Sequence, residues 1–276
     1  ASTLDSSSAV RSWGAFYTKS TTLYNEEGGS ADVSIVGAED DVRMTEYFTF
    51  RTRVGHDPIP FEEDSVILTE KTALNLGLSV GDTFYVETAD GSRVPLTLTG
   101  IAENYMFTRL YLSGAQLESL LGGTPEWNTV YGLTGCATEA EYNALRTKLL
   151  GCNYVSSVSF TEDTTSMFGS LIGSLNYVVV LIIVCAAALA AVVLYNLISV
   201  NLAERKKELA TIKVLGFYDK EVYRYIFREI ELLSLIGSGV GLLLGVPLHR
   251  FIILTVEMDQ LMFIRTIAPR SYLLAV

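Results

Sequence analysis

The sequence predicts an α+β extracytoplasmic domain followed by transmembrane α-helices, a membrane protein fragment with two complete spans. Residues 176–200 hold no formal charge, residues 232–254 form a second apolar run, and the part before them alternates short β-strand and helix signals. As a helix, the first run would rise about 37 Å, enough to cross a hydrocarbon core of about 30 Å. A buried core helix is the alternative, but soluble helices rarely stay apolar on every face beyond about 18 residues.

The charges between the two apolar runs predict the orientation of the chain. This connection carries seven basic residues: Arg205, Lys206, Lys207, Lys213, Lys220, Arg224 and Arg228. Basic residues in short loops favour the cytoplasmic side, so residues 1–165 are expected to lie outside the cytoplasm of a multi-pass cell-membrane protein. The chain begins Ala-Ser-Thr-Leu without an export signal, and we therefore expect it to be a fragment that lacks an upstream segment.

The predicted organisation has five parts. They are an extracytoplasmic α+β domain (1–165), a connecting and first transmembrane helix (166–200), cytoplasmic coupling helices (201–231), a second transmembrane helix (232–256), and an extracytoplasmic loop with the start of a truncated further helix (257–276). Residues 1–175 carry 10 Lys or Arg against 23 Asp or Glu, a net charge of −13. An acidic domain of this kind argues against nucleic acid as a partner.

Local patterns predict the elements of the outer domain. Strands are expected at 31–37, 47–54 and 66–68, followed by a helix that Gly77 ends. Asp90-Gly91 predicts a hairpin turn, and Pro95 places the return strand, residues 93–101, at a sheet edge.

The second half of the outer domain has two capping-box signatures, Ser113 with Gln116 and Thr138 with Glu141. Strands are expected at 129–133 and 154–160, on either side of the helix at 139–150. Thr161 or Asp163 then caps a helix that runs without interruption into the membrane, and such a helix would couple the outer domain mechanically to the span.

Few residues point to chemistry within this chain. It contains no G-x-x-x-x-G-K-[ST] phosphate loop, so it is not itself an ATPase. The segment 56–64 collects His56 and four acids, which fits either a metal site or, by preference, a proline-stiffened loop. Cys136 and Cys152 are a candidate disulfide pair, and the sequence does not decide whether they are joined.

The cytoplasmic connection predicts two amphipathic helices. Leu202, Leu209, Ile212 and Leu215 share one side of the first helix, which Gly216 ends, and Asp219 caps the second. Periodicity alone leaves two interpretations, a hairpin in the membrane interface or a docking surface for a protein. The acids among the bases favour the protein partner.

The run ERKKELATIKVLGF at 204–217, followed by Ile226-Phe227-Arg228-Glu229 and a glycine-rich span, resembles the FtsX-like permease family of ABC transporters. The segments 66–69, 76–82 and 99–101 resemble the MacB-type extracytoplasmic domain of such permeases. Glu204, Arg205, Glu208 and Gly216 match the family's ER-x-x-E…G pattern.

The resemblance implies a non-catalytic permease subunit whose coupling helix docks on a separate nucleotide-binding ATPase subunit. The expected ATPase-docking residues are Glu204, Arg205, Lys207, Glu208, Lys213 and Gly216. ATP and Mg would be held by that partner, with no cofactor in this chain. A second permease half, identical or paralogous, and the lipid bilayer are the other expected partners.

Two roles fit the resemblance. They are export or handling of a lipid, lipoprotein or peptide, and mechanotransmission to an extracellular protein. The alternative outside the family is a membrane sensor whose outer domain binds a ligand or protein and signals through the cytoplasmic hairpin.

Overall fold

The computed structural model describes residues 4, 9–214, 216, 218–256 and 271. The chain divides into two compact units: among the described residues, the first comprises those up to Leu149 together with 252–256, and the second comprises Leu150–Phe251 and Ser271. The first is an α+β domain, and the second contains the long helices. The predicted loop and truncated helix at 257–276 lie outside the described residues, Ser271 excepted.

Eight strands form one mixed sheet. They are β1 (Val10–Tyr24), β2 (Ser30–Ala38), β3 (Val66–Thr69), β4 (Thr83–Glu87), β5 (Arg93–Thr97), β6 (Gly100–Ala102), β7 (Arg109–Leu112) and β8 (Thr129–Thr134). Four short helices accompany them within the described part of the domain: α1 (Asp41–Tyr47), α2 (Glu70–Leu76), α3 (Gly114–Leu121) and α4 (Glu139–Leu150). The predicted α+β class is confirmed by this arrangement.

The sheet is organised around β1. Its strand order is β5-β4-β1-β2-β7-β3-β6, and β8 pairs with β1 beside β4. Residues 16–24 of β1 pair antiparallel with β2, while its other edge pairs with β8 along residues 10–16 and with β4 at Leu23 and Tyr24. One long strand therefore brings three others into a single sheet.

The two ends of the strand order meet at Leu98 and Thr99. Leu98 donates its N–H to the Asp82 carbonyl on the β4 side, at 2.9 Å. Thr99 bonds to Val66 on β3 instead, because its hydroxyl accepts from the Val66 N–H at 2.8 Å and donates to the Val66 carbonyl at 3.0 Å. Since β5 and β6 are opposite ends of the order, the sheet curls until its ends approach each other.

Two clusters of buried side chains fill this curled sheet. The larger one includes Leu23, Phe84 and Leu110, all fully buried. The other surrounds Phe16, whose ring makes edge contacts with Tyr47, Phe48 and Tyr131 at centroid distances of 5.0 to 5.9 Å. Edge-to-face contacts of this kind are the favoured geometry of aromatic pairs.

The prediction of a strand at 47–54 is wrong. Asp40 caps α1 by accepting from the Val42 N–H at 3.0 Å, and the helix continues through Tyr47. Phe48 and Phe50 follow in an irregular segment, where their rings pack with Tyr111. Of the aromatic residues that indicated a strand, Phe50 is buried and Tyr47 and Phe48 are half-buried, and all three pack in the aromatic cluster instead.

Other strand boundaries also need correction. The predicted return strand at 93–101 is two strands, because the chain changes partner at Thr99. Residues 155–160 pair with no strand in the described part of the chain, so the strand expected at 154–160 is also wrong. The hairpin at Asp90-Gly91, the edge position of Pro95 and the helix end at Gly77 are confirmed.

Both predicted capping boxes place their residues at helix starts. The Ser113 hydroxyl accepts from the Gln116 N–H at 3.3 Å. The Thr138 hydroxyl accepts from the Glu141 N–H at 3.4 Å, and the Glu141 carboxylate accepts from the Ala137 and Thr138 N–H groups. No disulfide joins Cys136 and Cys152.

Three helices follow in the described residues: α5 (Thr161–Glu204), α6 (Lys206–Val214) and α7 (Asp219–Val256), of which α7 belongs to the second unit through Phe251. Phe160 is the N-cap of α5, and the Asp163 carboxylate accepts from its N–H at 3.1 Å, so neither Thr161 nor Asp163 is the cap itself. Asn176–Glu204 and Ile230–Ile253 are each long and apolar enough to cross a membrane. The uninterrupted helix into the first of these stretches is confirmed.

Thr99→Val should destabilise the α+β domain by about 1 to 3 kcal/mol, because it removes the acceptor of the buried Val66 amide. Trp13 and Trp127 both belong to this domain and are the two tryptophans of the chain, so their fluorescence during denaturant unfolding reports it selectively. Thr97→Val, at an exposed position on β5, is the matched control and should have little effect. Equal losses in both variants would contradict the closure at Thr99.

Candidate functional site

The segment that the sequence singled out begins at a break between two helices. Arg205 separates α5 from α6 with φ −92° and ψ 8°. Its N–H still donates to the Asn201 carbonyl at 3.1 Å, and its own carbonyl accepts from the Leu209 N–H at 3.0 Å. Helical hydrogen bonding therefore continues on both sides of a one-residue interruption, and the amphipathic helix follows directly from the apolar one as predicted.

The predicted docking residues differ in exposure. Glu204, Lys207 and Glu208 are exposed, whereas Arg205 is half-buried. Lys213 lies in α6 by its backbone, and its side chain is outside what the structure describes. Within the segment Leu209 is half-buried, on the side that the sequence assigned to apolar contacts.

Gly216 turns the chain between α6 and α7. Its φ is +94°, in the left-handed region of backbone conformation that residues other than glycine rarely adopt. The predicted helix stop is confirmed, since α6 ends at Val214 and α7 begins at Asp219. The second amphipathic helix and the following apolar stretch form one continuous helix, α7, that contains Pro247.

One exposed apolar side chain lies outside the predicted docking residues. Val214 is 88% exposed at the end of α6. Positions 207, 211 and 214 lie on one side of a helix by their spacing, and the Thr211 hydroxyl donates to the Lys207 carbonyl at 3.0 Å. This side of α6 therefore carries a basic residue, a hydroxyl group and an exposed apolar residue. Its spacing from Lys207 is the signal that places Val214 on this side, whereas the predicted apolar positions all lie on the opposite side.

His56 and Arg51 both approach the carboxylate of Glu103, and among the described residues none of the four acids that follow His56 forms such an ion pair. His56 Nδ1 lies 3.3 Å from Glu103 Oε2, and Arg51 Nε lies 2.7 Å from the same oxygen. The pKa of Glu103 is lowered, first by the hydrogen bond from the Tyr105 hydroxyl and then by Arg51. No group of three His, Cys, Asp or Glu side chains able to hold a metal occurs among the described residues. The arrangement fastens the 51–58 loop to the end of β6.

The predicted docking segment and most of both long apolar stretches lie within one matched family region. Residues 180–276 match the family model described as FtsX-like permease C-terminal. This region contains every residue of the predicted docking segment, Glu204 through Gly216. The resemblance to the FtsX-like permeases of ABC-type transporters is thereby confirmed for the C-terminal part of the chain. A comparison with curated proteins gives no match.

Solved structures similar to this chain include two domains of ABC-type transporters. The extracellular domain of YknZ from Gram-positive bacteria is 17% identical, with a TM-score of 0.36 over 53% of this chain and 74% of that one. The periplasmic region of MacB from Actinobacillus actinomycetemcomitans is 14% identical, with a TM-score of 0.35 over 55% of this chain and 71% of that one. Because both TM-scores are low, the α+β assignment is based on the strand order of this chain and not on these two structures.

Gly216→Ala should lower the thermal midpoint of the helical unit, because an alanine in left-handed backbone costs about 1 to 2 kcal/mol. Circular dichroism of the detergent-solubilised protein measures this midpoint. Gly169→Ala is the matched control, since Gly169 lies in α5 with no neighbouring atom near its position, and alanine favours a helix. A Gly216→Ala variant as stable as the wild type would mean that the turn does not need its positive φ.

Proposed function

We propose that this chain is a permease subunit of an ABC transporter that couples ATP hydrolysis by a separate nucleotide-binding subunit to movement across the membrane. The observation that carries the proposal is the family match over residues 180–276, which includes the docking segment and most of both apolar stretches. The permease class supports a non-catalytic role for this chain, with ATP and Mg held by the partner.

The proposed docking surface comprises Glu204, Arg205, Lys207, Glu208, Lys213 and Gly216. Its support is the mixture of both charges on exposed positions next to a helix break, because interleaved bases and acids suit a protein surface better than a lipid headgroup layer. Val214 adds an exposed apolar contact of the kind that an interface buries.

The continuity of α5 supports a mechanical role. Its 44 residues rise about 66 Å, roughly twice the hydrocarbon thickness of a bilayer. The apolar stretch begins at Asn176, so residues 161–175 extend about 23 Å beyond it. A displacement of the helix end near Arg205 would be carried along hydrogen-bonded backbone to these residues.

Two outputs follow from such a displacement. One is export or handling of a lipid, lipoprotein or peptide, and the other is mechanotransmission to an extracellular protein. A second permease half, the same chain or a paralogue, completes the proposed assembly. A sensor that signals through the α6–α7 connection is the competing function, and it requires no ATPase.

Arg205→Glu should release the ATPase partner, because reversal of a half-buried charge at the helix break places like charges in the docking surface. The measurement is co-purification in mild detergent, followed by the ATPase activity of the complex. Lys19→Glu, an exposed charge reversal on β1, is the matched control and should leave both unchanged. If the wild type brings no phosphate-loop ATPase, the sensor function replaces the transporter.

The proposed topology places the α+β domain outside the cell and the α6–α7 connection inside. A variant without its three native cysteines, Cys136, Cys152 and Cys185, provides the background for single-cysteine labelling. With a membrane-impermeant maleimide, Ser20→Cys should react in intact cells and Lys207→Cys only after permeabilisation. The reverse pattern would overturn the orientation given by the basic residues.

A further inference from the structure

Strand β8 leaves one edge open. It pairs antiparallel with β1 from Val10 to Phe16, and no other strand of the described residues pairs with it. The opposite side of β1 is covered at this point, because Arg43 of α1 donates to the Trp13 carbonyl at 2.9 Å. The outer edge of β8 is therefore the place where this part of the sheet can accept another strand.

The direction of the backbone groups follows from two contacts. Asn128 pairs with both backbone groups of Thr18 at 2.8 and 2.9 Å, so Thr18 faces the β8 side of β1, whereas Trp13 faces the other side. Successive residues of a strand direct their N–H and C=O to alternate edges. Trp13 pairs with Gly132 and Ala15 with Val130, so Val130 and Gly132 present their N–H and C=O to the open edge.

The side chains along β8 leave this edge accessible. Val130 is 51% exposed, Leu133 is 46% exposed and Gly132 is exposed. Natural sheets protect open edges with charged residues, prolines or very short strands. The six residues of β8, TVYGLT, contain neither a charge nor a proline. Strand addition requires main-chain groups that no strand of the described residues pairs with, beside exposed apolar side chains, and β8 has both.

The net charge of the domain indicates which kind of strand binds at the open edge of β8. Residues 1–175 carry a net charge of −13, and Glu126 and Glu139 are exposed in the segments on either side of β8. Pairing with a second copy would bring two domains of the same strong charge together, which opposes association. An extended segment that carries lysine or arginine beside β-branched residues has the complementary charge.

We infer that the outer edge of β8 binds an extended basic peptide segment of another protein by strand addition. Val130 and Gly132 supply the main-chain hydrogen bonds, and Val130 and Leu133 supply apolar contacts. The inference depends on the sheet of the α+β domain alone. A binding assay without ATPase therefore tests it separately from the proposed coupling.

The test uses the whole chain in detergent and a fluorescein-labelled peptide of alternating valine and threonine with a lysine at each end. Fluorescence anisotropy gives its dissociation constant, and residue-resolved hydrogen exchange gives the contact. The peptide should bind, should bind more weakly as salt increases, and should slow exchange of the Val130 and Gly132 amides. The same peptide with glutamate at each end should bind more weakly.

Val130→Pro removes one outward N–H, which bonds to no group of β1, and should weaken binding by about tenfold. Val130→Thr keeps the amide and is the matched control, expected to bind like the wild type. Tryptophan fluorescence shows whether each variant is folded. Should the proline variant not fold, methylation of alternate amide nitrogens of the peptide tests the same hydrogen bonds on the wild-type chain.

Three results would overturn the inference. The first is the absence of binding by the basic peptide, and the second is binding that the amide methylation does not weaken. The third is protection of Val130 and Gly132 without peptide, increasing with protein concentration, because it would assign the edge to a second copy of this chain.

Discussion

The main-chain pairing of β1 is the interaction on which the α+β domain depends. Its 15 residues pair with β2 on one edge and with β4 and β8 on the other, and Asn128 supplies side-chain hydrogen bonds to Thr18. Without β1, β4 and β8 would lose their place in the sheet. The curled closure at Thr99 is a second constraint, because it joins the far ends of the strand order.

The helical unit obeys a different constraint, the satisfaction of backbone polar groups where no water is present. A continuous helix meets this requirement internally, which is consistent with α5 and α7 extending through their apolar stretches, although Pro247 of α7 has no N–H to donate to the preceding turn. The interruptions at Arg205 and Gly216 occur where charged residues are concentrated. The irregular backbone therefore coincides with the segment proposed to dock on the ATPase.

Some features of the candidate site could be predicted from the sequence and others could not. The charges from Glu204 to Lys213 and the stop at Gly216 were identified from the motif and from the end of the helical period. The helix break at Arg205 could not be predicted in this way, because residues of any type can adopt its backbone conformation. Val214 was missed because an apolar residue near a helix end is normally assigned to a packed face.

The two apolar helices, the helix starts at Ser113 and Thr138, the Asp90-Gly91 hairpin and the FtsX-like motif followed from the sequence alone. These features depend on local chemistry: hydrogen bonds close to each residue along the chain, or a run of apolar side chains. The tertiary structure alone decided the three-way pairing of β1, the change of partner at Thr99, the ring packing of Phe48 and the open edge of β8. Each of these brings together residues that lie far apart along the chain, and a strand or loop receives its place from partners that its own residues do not specify.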